Sequence, residues 1–139
     1  MRFMMMMIPD VYRRPVSADF VPPADAMEKM GKFNEELRKA GVLLALDGLH
    51  PPEKAVRLTF PATGKPVVTD GPFAEAKEAV GGYWLLQVKS REEAIEWARR
   101  CPAEPGDVLE IRKIFEPEDF GPAVAQQERE LMEKIGKTK

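Results

Sequence analysis

Apolar positions along the chain follow two different periods, and the order of these periods predicts the secondary structure. Segments of strand length are either continuously apolar or alternate between apolar and polar side chains. They cover residues 3–8, 42–46, 55–60, 67–69, 83–88 and 108–115. Residues 26–40 and 94–101 instead repeat apolar residues every three to four positions, which is typical of helices.

Capping residues bound the two predicted helices. Asp25 precedes the first helix and Glu28 follows three residues later, so this pair is predicted to form a capping box, with Gly41 as the stop. Ser90 and Glu93 have the same spacing before the second helix. We therefore expect both helices to begin at a side-chain cap.

The order of these elements indicates the fold class. If the β-hairpin of residues 55–60 and 67–69 is set aside, the chain reads strand-helix-strand twice. This order predicts an α+β, ferredoxin-like βαββαβ subunit with an inserted hairpin, in which two helices lie on one face of a four-stranded antiparallel sheet. We expect one domain over residues 1–120.

A C-terminal helical tail is predicted over residues 121–139, with helical character from about residue 118. The pairs Glu130–Lys134 and Glu133–Lys137 have the i,i+4 spacing that supports a helix. The apolar stripe of this tail is thin. We therefore expect the tail to pack on a partner or across the domain rather than within the core.

The first strand is apolar on both of its faces. Phe3, Met5 and Met7 alternate with Met4, Met6 and Ile8, and residues 83–88 repeat this pattern. Two helices cover only one face of a sheet, so the second face needs another cover, for which a second copy of the chain is the most economical source. The pattern therefore predicts a homodimer with face-to-face sheets, that is, a dimeric α/β barrel.

Composition narrows the classes of function. The chain has 139 residues and a net charge of -2, without the basic stripe of a nucleic-acid-binding protein. No apolar segment reaches the length of a membrane span. The single cysteine, Cys101, suits a reducing cytoplasm and core packing. The sequence has no phosphate-binding or dinucleotide-binding motif, so we expect no cofactor.

Asp70 stands in the segment Val-Thr-Asp-Gly-Pro-Phe, where two roles are open. As the N-cap of a short helical turn, its carboxylate would accept a hydrogen bond from the N–H of Phe73, because Pro72 has none to donate. Alternatively, the carboxylate faces a pocket and takes part in chemistry. One oxygen can serve each role, so the two interpretations are compatible. Phe73 itself is expected to be a core anchor.

His50 is the only histidine in the chain and follows Asp47 in the loop after the second predicted strand. It either stabilises a proline-rich turn or acts as a general acid or base oriented by a carboxylate from Asp47 or Asp70. A metal site made of these three residues is an alternative, although a protein-only zinc site is not expected.

The segments Asp-Gly-Pro-Phe-Ala-Glu-Ala-Lys-Glu and Gly-Gly-Tyr-Trp-Leu-Leu-Gln-Val, with the capped helix of residues 90–102, resemble the YCII-related family in its DGPF branch. The resemblance covers about residues 1–120. It implies a dimeric α/β barrel of ferredoxin-like subunits in a superfamily with isomerases, dehydrochlorinases and monooxygenase-like enzymes. The family suggests a histidine on the first helix beside an aspartate. Here that helix has no histidine, whereas Asp70 matches the motif.

These observations predict a homodimeric small-molecule-binding protein or a cofactor-free enzyme of isomerase or elimination type. We expect its pocket between the sheet and the helix-side loops, with His50 and Asp70 as catalytic residues. Substrate-binding candidates are Asp47, Phe73, Tyr83 and Trp84. No metal is expected. The alternative function, implied by family members that occur beside sigma-factor-like regions, is a non-enzymatic interaction module linked to transcription.

Overall fold

Six strands and three helices make up the part of the chain that the computed structural model describes, residues 1–73 and 78–136. The strands are β1 (Arg2–Ile8), β2 (Leu43–Gly48), β3 (Val56–Thr59), β4 (Val67–Asp70), β5 (Gly82–Gln87) and β6 (Val108–Lys113). The helices are α1 (Ala24–Lys39), α2 (Arg91–Arg99) and α3 (Pro122–Lys134). Single turns of 3₁₀ helix cover Asp10–Arg13, Pro52–Lys54 and Pro117–Asp119.

The main sheet has the strand order β2-β5-β1-β6, and each neighbouring pair is antiparallel. The α+β class is confirmed, and the strand order is compatible with a ferredoxin-like fold. β3 and β4 pair only with each other and form a separate two-stranded sheet. The predicted hairpin is therefore confirmed, and it extends the fold without joining the main sheet.

The core lies between the sheet and the pair α1 and α2. Met5, Leu37 and Leu86 are fully buried there. Phe33 of α1 meets Trp84 of β5 edge-to-face, with ring centroids 5.9 Å apart, an arrangement that adds to the stabilisation from burial alone. We call the face that packs on α1 and α2 the inner sheet face. Every second side chain of each strand lies on this face.

The outer sheet face, on the other side, is only half covered. Met4 and Met6 of β1 are half-buried there, whereas Met5 and Met7 of the inner face are buried. The same alternation holds along β5, in which Tyr83, Leu85 and Gln87 are half-buried. The predicted two-sided apolarity of these strands is therefore a real feature of the sheet.

The helix boundaries correct two of the predictions. The first helix begins at Ala24 and Pro23 occupies its N-cap without a side-chain hydrogen bond, so the predicted capping box at Asp25 is wrong. Proline at the N-cap allows the helix to start earlier and places Asp25 within its first turn, where a carboxylate still favours the helix dipole. For α2 the predicted cap is confirmed, because the N–H of Glu93 donates to the Ser90 hydroxyl at 3.1 Å.

The third helix begins at Pro122, after a separate 3₁₀ turn, rather than near residue 118. Glu130 accepts a hydrogen bond from Gln126, and no ion pair joins Glu130 to Lys134. The predicted pair of Glu133 with Lys137 lies partly outside the described residues, as does the charged segment that contains Glu75 and Lys77. Leu131 of α3 is exposed, so the core does not take up the apolar stripe of this helix.

Candidate functional site

Tyr83 and Asp47 form a hydrogen-bonded pair on the outer sheet face. The register of β2 against β5 shifts between Leu43 and Ala45, so that Asp47 lies directly opposite Tyr83. The Tyr83 hydroxyl donates to Asp47 Oδ2 at 2.6 Å, a short and charge-assisted hydrogen bond. This hydrogen bond, together with desolvation and the nearby negative charge, raises the pKa of Tyr83 above its ordinary value. Tyr83 is therefore held as a neutral hydrogen-bond donor.

A groove of about 1360 Å³ opens between the outer sheet face and α3, and Tyr83 lies along it. Its floor is apolar, because Met4, Leu44, Ala45 and Leu85 supply it. The sequence predicted a pocket towards the helix-side loops, whereas this groove lies on the face away from α1 and α2. Among the described residues, it is the α3 side that carries most of the polar groups of the groove.

Ion pairs bound the groove at one end. Arg2, which is 9% exposed, holds Glu116 through two nitrogens, with Nε–Oε2 at 2.9 Å and Nη2–Oε1 at 2.8 Å. This bidentate geometry is the strongest form of an arginine–carboxylate contact. Hydrogen bonding to Glu116 raises the pKa of Arg2 further. The pair ties the start of β1 to the turn that leads into α3 and so fixes that end of the groove.

The glycines before β5 hold the neighbouring backbones close together. Gly81 donates its N–H to Met7 at 2.8 Å and accepts from Leu49 at 2.9 Å. A Cβ at Gly81 would lie 2.8 Å from Pro9 Cγ, and a Cβ at Gly82 would lie 3.1 Å from the Asp47 carbonyl oxygen. Both positions therefore favour glycine because of close approach. The second of them keeps the end of β2, and with it Asp47, against β5.

His50 and Asp70 are both exposed, and neither of them lines the groove; Asp47 is also exposed and reaches the groove only through its contact with Tyr83, which lines it. Their loops are nevertheless joined through the backbone, because the N–H of Gly71 donates to the Ala55 carbonyl at 2.7 Å. A Cβ at Gly71 would lie 2.1 Å from the Pro52 carbonyl oxygen. In the part of the chain that the structure describes, no hydrogen bond or ion pair links the His50 and Asp70 side chains.

Asp70 is the last residue of β4, where it pairs with Val56. The Gly71–Pro72 peptide bond that follows is cis. Within the described residues, no hydrogen bond joins the Phe73 N–H to the Asp70 carboxylate. Residues 71–73, predicted as the first positions of a helical turn, are not helical, and residues 74–77 lie outside the described part of the chain. Phe73 is half-buried. The Arg57 guanidinium lies over its ring, 3.8 Å from the centroid, in a cation–π contact.

Trp84 lies on the inner face, in the core, and is 5% exposed. Its indole N–H donates to Asn34 Oδ1 at 2.7 Å. Trp84 and its neighbour Tyr83 therefore face opposite sides of the sheet, as successive strand residues do. Of the six residues predicted for a site, the structure brings Asp47 and Tyr83 into direct contact and places Trp84 away from them.

The floor of the groove and the Arg2–Glu116 pair were not predicted as site residues. For the groove floor, the sequence does carry an indication: β1 is apolar on both faces, which predicts an apolar surface on the outer face of the sheet. The sequence carries no comparable signal for the shift of register in β2, which places Asp47 beside Tyr83, or for a contact between residues 114 positions apart.

Other chemistry is limited in the described residues. Burial raises the pKa of Cys101 to about 11, so its thiol is a poor nucleophile at neutral pH. Residues 1–73 and 78–136 contain no group of three or more histidine, cysteine, aspartate and glutamate side chains arranged to hold a metal ion. Over the same residues, no helix has the length and apolarity needed to cross a bilayer.

The fold and the groove define a small α+β domain in which one sheet face packs on helices and the other presents an apolar surface with a tyrosine–carboxylate pair. A family model for the YCII-related domain matches residues 1–118. The chain belongs to the YCII-related family. The resemblance inferred from the Asp-Gly-Pro-Phe segment is therefore confirmed.

A relative from Rhizobium meliloti (strain 1021), described as an uncharacterised protein, is 36% identical to the chain over 73 residues. The match covers 52% of this chain and 58% of that protein. The chain thus spans less than two thirds of the length of the relative that it matches.

Proposed function

We propose that the protein is a homodimer that binds a small molecule in the groove of the outer sheet face and catalyses a cofactor-free proton transfer. The observation that carries this proposal is the 2.6 Å hydrogen bond between Tyr83 and Asp47 beside an apolar groove floor. An apolar pocket with a few convergent polar groups is the usual form of a small-molecule site.

The two side chains supply complementary chemistry. The Tyr83 hydroxyl has one proton, so on substrate binding it would turn from Asp47 to the carbonyl oxygen of the substrate and donate a hydrogen bond there as charge develops. The Asp47 carboxylate, released from this hydrogen bond, can then take a proton from the carbon next to the carbonyl group. Return of the proton to a different carbon gives an isomerisation, and departure of a leaving group gives an elimination.

The test measures exchange of the protons next to the carbonyl group of 2-oxobutyrate and of other small ketones in D₂O by proton NMR. We expect the wild-type protein to accelerate exchange for at least one compound, and Asp47→Asn and Tyr83→Phe to lose at least 90% of that acceleration. Tyr12→Phe removes the other tyrosine, which is outside the groove, and is the matched control. Equal rates in the two site variants and the wild type would remove the pair from the mechanism.

A second candidate site contains His50 and Asp70. The hydrogen bond from Gly71 to Ala55 supports it, because this bond holds the two loops together. His50→Asn and Asp70→Asn in the same exchange assay separate the two candidates. Loss of activity in these two variants, together with full activity in Asp47→Asn, would show that the active site lies at the loops of His50 and Asp70 rather than in the groove.

The homodimer is supported by the half-buried apolar residues of the outer face. Leu85→Lys puts a charge at the centre of this face and is expected to shift the sedimenting species to the monomer mass at micromolar concentration. Met27→Lys is the matched control, since Met27 is 55% exposed on α1 and away from the outer face. A wild-type protein that sediments as a monomer at these concentrations would contradict the homodimer.

A further inference from the structure

The hairpin of β3 and β4 exposes an unusual amount of apolar surface. Leu58, Phe60 and Val68 are 53%, 75% and 63% exposed, and Val56 and Val67 are each 55% exposed. Leu58 lies opposite Val68 and Val56 lies opposite Asp70 in the pairing, so these four side chains share one face, which is apolar except for Asp70 at its end. A two-stranded sheet is at best marginally stable in water by itself. This face therefore needs a cover.

The groove on the outer sheet face is larger than a small-molecule site requires. Its volume of about 1360 Å³ exceeds the range of roughly 300–1,000 Å³ that is typical of ligand pockets. One of its walls is an apolar sheet surface. Sheets pack face to face about 10 Å apart with interdigitating apolar side chains, so this wall can receive the apolar face of a second, narrow sheet.

The opposite wall of the groove is acidic. Among the described residues that line the groove as a whole, five are acidic and three are basic, and all five acidic residues lie on the α3 side or in the turn before it. Each of the three basic residues is paired, in the contacts Arg2–Glu116, Lys113–Asp119 and Arg129–Glu118. Glu130 and Glu133 of α3 are the other two acidic residues of this wall. The described residues that line the groove therefore have a net charge of -2.

The hairpin has the complementary charge. Lys65 lies in the exposed turn between β3 and β4 and has no ion pair among the described residues. Arg57 lies on the face of the hairpin opposite Leu58. One face of the hairpin is thus apolar, like the groove floor, except for Asp70 at its end. The turn carries Lys65 and the other face carries Arg57, so residues 56–70 have a net charge of +1, opposite in sign to that of the groove lining.

We propose that the β3–β4 hairpin of each protomer inserts into the partner's groove, between the outer sheet face and α3, and closes the small-molecule site beside Tyr83. This inference rests on the homodimer in the proposed function. A two-fold axis makes the contact occur twice, so each protomer contributes one hairpin and one groove. The ligand then occupies the part of the groove that the hairpin leaves free, and the site is complete only in the dimer.

The first experiment is amide hydrogen exchange of the wild-type protein at concentrations below and above its dimerisation midpoint. We expect residues 56–70 and α3 to gain protection together as the dimer forms, because both become buried in the same contact. A dimer in which the hairpin amides exchange as fast as in the monomer would overturn the inference and leave the homodimer intact. A protein that is monomeric throughout would contradict both.

The second experiment reverses charges. Two variants are compared with the wild type: Lys65→Glu, and the double variant Glu130→Lys with Glu133→Lys. Each is expected to raise the dimer dissociation constant about tenfold through like-charge repulsion. Combination of all three changes is expected to restore most of the affinity. Lys29→Glu on α1 is the matched control for the charge of the whole protein. Additive losses in the combined variant would overturn the contact of Lys65 with α3.

Discussion

Among the glycines of the described residues, Gly71 leaves the least room for a side chain, so its replacement gives the sharpest test of the turn. A Cβ built there would lie 2.1 Å from the Pro52 carbonyl oxygen and 3.2 Å from the Ala55 carbonyl oxygen. The first distance is more than 1 Å below an ordinary carbon–oxygen contact of about 3.3 Å. Gly71→Ala must therefore separate the turn from the loop that contains Pro52.

The cost can be worked from what this separation breaks. The 2.7 Å hydrogen bond from the Gly71 N–H to Ala55 is lost, at about 1–3 kcal/mol if the groups are left unsatisfied. Displacement of packed backbone adds about 1–3 kcal/mol. We expect the free energy of unfolding to fall by about 2–6 kcal/mol, which lowers Tm by roughly 6–20 °C in a chain of this size.

Differential scanning calorimetry or thermal unfolding followed by circular dichroism measures this change. Gly31→Ala is the matched control, because Gly31 lies in α1 with nothing within 4 Å of a built Cβ. There the substitution is expected to raise stability by about 0.5–1 kcal/mol, since alanine favours a helix interior. A Tm of Gly71→Ala within about 2 °C of the wild-type Tm would refute the argument from close approach.

The remaining predictions concern titration, reactivity and the core. Absorbance at 295 nm should show Tyr83 ionising above its ordinary pKa of about 10, and Asp47→Asn should lower that pKa because the hydrogen bond holding the proton is lost. The effect of the pair on stability is therefore present below pH 10 and is lost as pH rises through the folded-state pKa. Iodoacetamide should alkylate Cys101 much more slowly at pH 8 in the native than in the unfolded protein, and faster as pH approaches 11. Asn34→Ala should lower the free energy of unfolding by about 1–3 kcal/mol, measured by denaturant titration, because it leaves the buried Trp84 N–H without its acceptor; an unchanged midpoint would contradict that account.

Much of the architecture follows from local rules. The alternation in β1 and β5 predicts strands that are apolar on both faces, and Ser90 predicts the start of α2. Asp25 is not the N-cap of α1 because Pro23, the residue before Ala24, occupies that position. The sequence pattern points to Asp25 instead, since aspartate has a side chain that can cap a helix and proline does not. Local pattern therefore fixes the kind of element better than its first residue.

The candidate site depends on relations that local pattern does not contain. Asp47 meets Tyr83 because β2 contains a shift of register, and alternation alone does not locate such a shift. Tyr83 and Trp84 are adjacent aromatic residues of one strand, so only one of them can face a given pocket. In the Asp-Gly-Pro-Phe segment, the sequence suggests a role for Asp70 because it has a reactive side chain. The structure instead shows a requirement for glycine at position 71, where a Cβ would clash with the Pro52 carbonyl oxygen.

The alternation of methionines in β1 makes the two faces of one strand unequal towards oxidants. We expect peroxide to oxidise the half-buried residues Met4 and Met6 before the buried residues Met5 and Met7. Conversion of Met4 to its sulfoxide replaces an apolar, adaptable side chain with a polar one in the floor of the groove. Oxidation would thus make this surface more polar before it weakens the core, and methionine sulfoxide reductases reverse that kind of change.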